Sequence, residues 1–149
     1  MATSSQPAKR ALVTGASSGI GLAIARALLT QGYEVTGISR RDAANELGSD
    51  RFQPVMLDLE DSEAVERHIG ELAKQQAFDC YVHAAGRGDF GSIEQFSRAR
   101  IEASLRVNLV SAMIICRALV PQMRRRGHGR IVFIGSESAL QAGRKGSLY

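Results

Sequence analysis

The sequence contains no tryptophan, two cysteines, three prolines and only eight Phe and Tyr residues together. The two cysteines, Cys80 and Cys116, have neither zinc-ligand spacing nor the pattern of a disulfide framework, and each sits in an apolar run. Buried free thiols are therefore expected. Long apolar runs are missing too. The longest, Val107–Val120, is interrupted by Asn108 and Arg117 and reads as too short to cross a bilayer. Met1–Lys9 is polar, with no apolar core of a secretory signal, and reads as a frayed leader to a cytoplasmic protein. Charge of one sign is also modest, with 19 Lys and Arg against 15 Asp and Glu, a net of +4. The Arg excess is scattered except at Arg124, Arg125, Arg126 and Arg130, without interleaved aromatics, which argues against nucleic acid as a partner. There are no repeats, linkers or low-complexity stretches, so residues 10–149 read as one domain.

What is present is an alternation. Short apolar or β-branched runs at Ala11–Thr14, Glu34–Ser39, Phe52–Leu57, Asp79–His83 and Arg130–Ile134 alternate with helical patterns. The helices are expected at Ile20–Thr30, Ala43–Leu47, Ser62–Gln75 and Arg100–Arg126. Strand and helix in this order predict βαβ units and a three-layer, doubly wound parallel sheet of the Rossmann kind. Ile20, Ile24, Ala27 and Leu28 are expected to pack the first helix on the sheet. Asp61 or Ser62 should cap the third, and Arg124–Arg126 should complement the negative end of the last. Ile131–Ile134 is apolar at every position, as in a strand covered on both faces. Fifteen residues follow it, too few for another βα unit, so the sheet is expected to be incomplete on its C-terminal side and the chain to be part of a longer protein.

The first run leads through Thr14-Gly15-Ala16-Ser17-Ser18-Gly19-Ile20-Gly21 into a helix. Glycine permits the backbone angles of such a turn, and it lets amides approach a diphosphate at the helix N-terminus. Strand before and helix after is the context this motif requires.

TGxxxGxG at this place resembles the short-chain dehydrogenases/reductases, and the resemblance continues along the chain. Asp58-Leu59 is similar to the family's adenine-holding pair, and His83-Ala84-Ala85-Gly86 to its NNAG, with histidine in place of the first asparagine. Asn108 matches the family's helix asparagine, with Leu119–Met123 following as usual. Ser136 and Tyr149, thirteen residues apart, have the spacing of the catalytic serine and tyrosine. The cofactor-binding residues implied are Gly15, Ser17, Ser18, Gly19, Ile20, Gly21, Asp58, Leu59, Ala84, Ala85 and Gly86. At the end of the second strand, where NAD-specific members carry an acid, stand Ser39, Arg40 and Arg41. A guanidinium there grips a 2′-phosphate with charge-assisted bonds, so NADP(H) is the expected cofactor. No metal site is expected, and neither a catalytic nor a metal role for His83.

The resemblance implies hydride transfer between the nicotinamide and a small-molecule carbonyl or secondary alcohol. Ser136 would orient the substrate oxygen, Tyr149 would carry the proton as general acid or base, and Asn108 would hold a relay water through its backbone. The family's lysine stands four residues past the tyrosine. Lowering a tyrosine pKa from about 10 to about 7 takes roughly 4 kcal/mol, so these 149 residues alone are expected to be nearly inactive. The alternative is an NADP(H) sensor without catalysis. A homo-oligomer paired through Arg100–Arg126 is also expected.

Overall fold

The computed structural model describes residues 8–140. Five strands form one parallel sheet: β1 Arg10–Thr14, β2 Glu34–Ser39, β3 Phe52–Met56, β4 Cys80–His83 and β5 Arg130–Phe133. Their order is β3-β2-β1-β4-β5. The chain winds outward from β1 to β3, returns to β4, and continues to β5. The sheet therefore reverses direction between β1 and β4, and a crevice opens there at the carboxyl ends of the strands.

Alternation along β1 shows why the sheet is apolar throughout. Ala11 and Val13 face one layer, where α1 (Gly19–Thr30) packs through Ala25 and Leu29. Leu12 faces the other layer, where α3 (Ser62–Gln75) and α5 (Ser111–Arg126) pack through Val65, Ile69, Ile115 and Leu119. With both faces covered, each central strand is buried on both sides. A short α2 (Ala44–Leu47) leads into edge strand β3. Pro54, opposite Gly37 of β2, stands in the middle of that edge, a place where a missing backbone donor is tolerated.

Local signals set the helix ends. Asp61 caps α3 by accepting the Ala64 amide at 2.9 Å, as expected. Ser97 caps α4 (Arg98–Leu105) by accepting the Arg100 amide. Gly127 ends α5 with a left-handed φ of 71°, a conformation glycine takes at little cost.

Several expectations need correction. On α1, Ile24 and Leu28 pack against the sheet as expected beside the buried Gly21, Ala25 and Leu29, but Ala27 is exposed and so is Ile20, which the turn before the helix points into the crevice. The long helix starts two residues early. It then passes through a π turn at Arg106–Val110 and runs continuously from Arg98 to Arg126. At 29 residues it is long and apolar enough, by length and composition, to cross a membrane, unlike the shorter run read from the sequence. Its inner side, Ala112, Ile115, Leu119 and Met123, lies in the core. Arg126 does more than complement the dipole. It pairs with Asp79 at 2.8 Å and donates to the Phe78 carbonyl, while the Asp79 carboxylate also accepts the Arg10 amide and meets His128. Burial raises the Asp79 pKa, but these bonds outweigh it and hold the carboxyl below its ordinary value. Cys80 and Cys116 are free thiols but only partly buried. Val132, Phe133 and Ile134 are exposed, not covered, on the described residues.

Candidate active-site cleft

The crevice is a cleft of about 750 Å³ at the carboxyl ends of the strands. The turn after β1 forms its floor. Gly15 and Gly19 take φ of +70° and +52°, and Gly21 is packed so closely that an added Cβ would lie 2.2 Å from the Gly15 carbonyl oxygen. A Cβ on Gly15 would stand 2.9 Å from the Ala85 backbone. The turn is thus compressed between the head of α1 and the loop after β4, and only glycine fits these places. Gly37 extends the same requirement into β2, where a Cβ would meet Ala16 and the Phe52 ring at 2.8 and 2.5 Å. That glycine was not singled out in the sequence, since nothing about a strand glycine shows what packs above it.

The structure brings the expected cofactor residues together. Gly15, Ser17, Ser18, Gly19, Ile20, Gly21, Arg40, Arg41, Asp58, Leu59, Ala84, Ala85 and Gly86 all line the cleft. Arg40 and Arg41 are exposed at its mouth, and their guanidinium groups make no hydrogen bond or ion pair among the described residues. Asp58 accepts the Glu60 amide at 3.0 Å, which turns the chain sharply after β3.

Thr14 is a residue that the motif contains but the sequence reading gave no role. Its hydroxyl accepts the amides of both Ala84 and Ala85 at 3.1 Å, so it fixes the loop after β4 against the glycine turn. Asn108 lies within the π turn and its side chain clamps that same loop. Oδ1 accepts the Arg87 amide at 2.7 Å, and Nδ2 donates to the Arg87 carbonyl at 2.9 Å. Nδ2 also donates to the Ser104 hydroxyl at 3.3 Å, so the side chain is committed to partners of its own chain. The loop continues through Asp89, a buried carboxylate between Arg87 and Arg100, both at 2.7 Å. The Arg100 bond above all, with Arg87, keeps that carboxyl below its ordinary pKa.

Ser136 follows Ile134 and Gly135, which line the cleft, and caps a short turn by accepting the Ser138 amide at 3.2 Å. The bond uses the oxygen as an acceptor, so the hydroxyl proton stays available for donation. Tyr149 lies outside the described residues, as does the 1–7 part of the leader.

The glycine turn at the head of α1, the free arginines at the end of β2 and the switch-point cleft define a dinucleotide-binding domain of the Rossmann class. The family model for short chain dehydrogenases matches residues 9–149, and the chain belongs to that family. It is 35% identical to the oxidoreductase YbbO of Escherichia coli, over 89% of this chain and 50% of that protein. The chain thus spans about half the length of the curated relatives it matches. Among solved structures it resembles a candidate NAD(P)-dependent gluconate 5-dehydrogenase of Beutenbergia cavernae that carries NADP at low occupancy. There the TM-score is 0.89 and the identity 35%, covering 95% of this chain and 59% of that one. A 4-hydroxyisoleucine dehydrogenase in complex with NADH matches with a TM-score of 0.85 and 27% identity, covering 95% and 61%.

Proposed function

We propose that the chain forms the cofactor-binding half of an NADP(H)-dependent oxidoreductase that acts on a carbonyl or a secondary alcohol. The observation that carries this reading is the compressed glycine turn facing two unpaired arginines across one cleft. Glycines that leave no room for a side chain bring amides to the cleft floor, which suits a diphosphate at the head of α1. Arg40, whose guanidinium makes no ion pair among the described residues, suits the dianionic 2′-phosphate, with Arg41 beside it. Asp58, Leu59 and the Ala84–Gly86 loop enclose the adenosine end. When bound, the nicotinamide supplies or takes up the hydride. Ser136 holds the substrate oxygen through its free hydroxyl proton, and Tyr149 passes the proton to or from that oxygen. Asn108, its side chain committed to Arg87, serves the proton relay through its backbone.

The relatives carry either form of the cofactor, so the phosphate preference rests on Arg40 and Arg41. The exposed apolar flank of the long helix, Leu105, Leu109 and Met113, supports pairing with a second copy in the full-length protein. A titration of the full-length protein with NADPH and NADH tests the cofactor assignment. The wild type should prefer NADPH, and R40A should lose about 1.5–3 kcal/mol of NADPH affinity, roughly 10- to 150-fold, with NADH binding little changed. Preference for NADH in the wild type would overturn the assignment. Retained NADPH binding without turnover of any carbonyl would favour the sensor alternative.

A further inference from the structure

His83, which replaces an asparagine of the family's motif, is buried at the end of β4 with 4% of its surface exposed. Its ring is surrounded by partners from every neighbouring element. Nε2 stands 3.3 Å from the Val107 carbonyl oxygen in the π turn, and that oxygen also accepts the Ser111 hydroxyl at 2.8 Å. Nδ1 stands 3.0 Å from the Thr14 hydroxyl on β1 and 2.9 Å from the Tyr81 hydroxyl on β4. Phe133 of β5 closes the last side, edge-on at 6.3 Å.

The proton count admits one arrangement. A carbonyl oxygen cannot donate, so Nε2 carries the hydrogen. In the neutral ring Nδ1 is then an acceptor with one lone pair, which the Thr14 and Tyr81 hydroxyls share. Thr14 has no alternative, because its oxygen already accepts the Ala84 and Ala85 amides and its only proton must go to Nδ1. Burial pushes the Tyr81 hydroxyl far above the usual phenol range, so it stays protonated and able to donate.

We propose that His83 is a positioning residue of the cleft, a neutral imidazole that joins the π turn carrying Asn108 to the glycine turn beneath the cofactor, and that protonating it breaks this link. The proposal rests on the function argued above. A proton on Nδ1 converts an acceptor into a donor. Tyr81 can rotate its hydroxyl to accept, but Thr14 cannot without releasing an amide of Ala84 or Ala85. Those amides hold the loop against which Gly15 packs. With Tyr81 taking the ring's proton, the Thr14 hydroxyl loses its acceptor and the ring parts from the side chain that holds those amides, while the Val107 bond persists. The titratable groups on this side are Tyr81 and, beyond it on α5, Cys116. Among the described residues, no acidic or basic side chain bonds the ring. Burial depresses the imidazole pKa, against a smaller opposing effect of the Val107 carbonyl, so the ring is neutral near pH 7.

Nitrogen NMR of the imidazoles in the full-length wild type tests this without turnover. His83 should show a protonated Nε2 and a bare Nδ1 at pH 7, and should still be mostly neutral at pH 6.5, the ordinary imidazole pKa. A protonated Nδ1 at pH 7 would overturn the proposal. The second measurement is NADP+ affinity from pH 7.5 to 5.5 for wild type and H83N, with H83Q as the substitute should H83N not fold. Taking the ratio of the two proteins cancels titration of the cofactor itself. The wild type should weaken relative to the variant by up to about tenfold per pH unit below the ring's ionisation, the limit for one proton. A flat ratio would refute the link. Absence of NADP+ binding at every pH would instead sink the cofactor reading, and the tautomer would still decide His83.

Discussion

Gly21→Ala is the sharpest probe of the cofactor turn. The new methyl carbon would lie 2.2 Å from the Gly15 oxygen and 2.6 Å from the Gly15 carbonyl carbon, both backbone atoms. Real contacts of this kind begin near 3 Å, so the first turn of α1 and the Gly15 peptide must separate by roughly 1 Å. Overpacking of this sort costs about 1–3 kcal/mol. In a domain of this size that lowers Tm by roughly 2–12 °C. The larger effect falls on the ligand. A 1 Å shift misaligns amides aimed at an anion, and each such hydrogen bond is worth about 1.5–3 kcal/mol. NADPH affinity should fall at least about tenfold even at temperatures where the variant is fully folded. Fluorescence titration with NADPH beside a thermal melt separates the two losses. A folded G21A protein that binds NADPH as tightly as the wild type would refute the assignment of the diphosphate to this turn.

Two further outcomes follow from packing and from protonation. Gly70 lies inside α3 with open space where a Cβ would stand, so G70A should raise stability by about 0.5–1 kcal/mol, visible as a higher melting temperature with NADPH binding unchanged. His83 has a folded-state pKa below its ordinary 6.5, so the unfolded chain takes up the proton first as the solution is acidified. Its contribution is whole above pH 6.5 and is lost as pH falls through the folded pKa, by up to about 1.4 kcal/mol per unit. Denaturant melts from pH 7.5 to 5 should show this slope for the wild type and a shallower one for H83N. Parallel slopes would refute it.

The sheet was legible because its central strands are buried on both faces and its runs are separated by patterned helices. The glycine turn was legible because strand, glycines and helix occur together. The π turn was not. Arg106–Val110 carries no residue that marks a widened turn, and only the packing of its Val107 carbonyl against His83 and Ser111 shows what it does. Likewise Asn108 was picked out by resemblance, but its clamp on Arg87 spans 21 residues and depends on how the β4 loop folds back. Ile20 misled for a related reason. Helical periodicity put it on the sheet-facing side, yet the backbone angles of the preceding glycines rotate it toward the cleft. Arg126 looked like a surface charge because its carboxylate partner, Asp79, is 47 residues away.

Pro54 gives the sheet a direction of growth. A strand approaching β3 from outside meets a position with no donor to offer, at the centre of the rim. The opposite rim has no such interruption: Arg130–Phe133 is continuous, and Val132, Phe133 and Ile134 present apolar surface beside it. Lateral extension, by later chain or by another molecule, is therefore steered to β5. Since β5 runs through Ile134 and Gly135 of the cleft wall directly into Ser136, anything that zips onto that rim also sets the posture of the short turn at Glu137–Ala139.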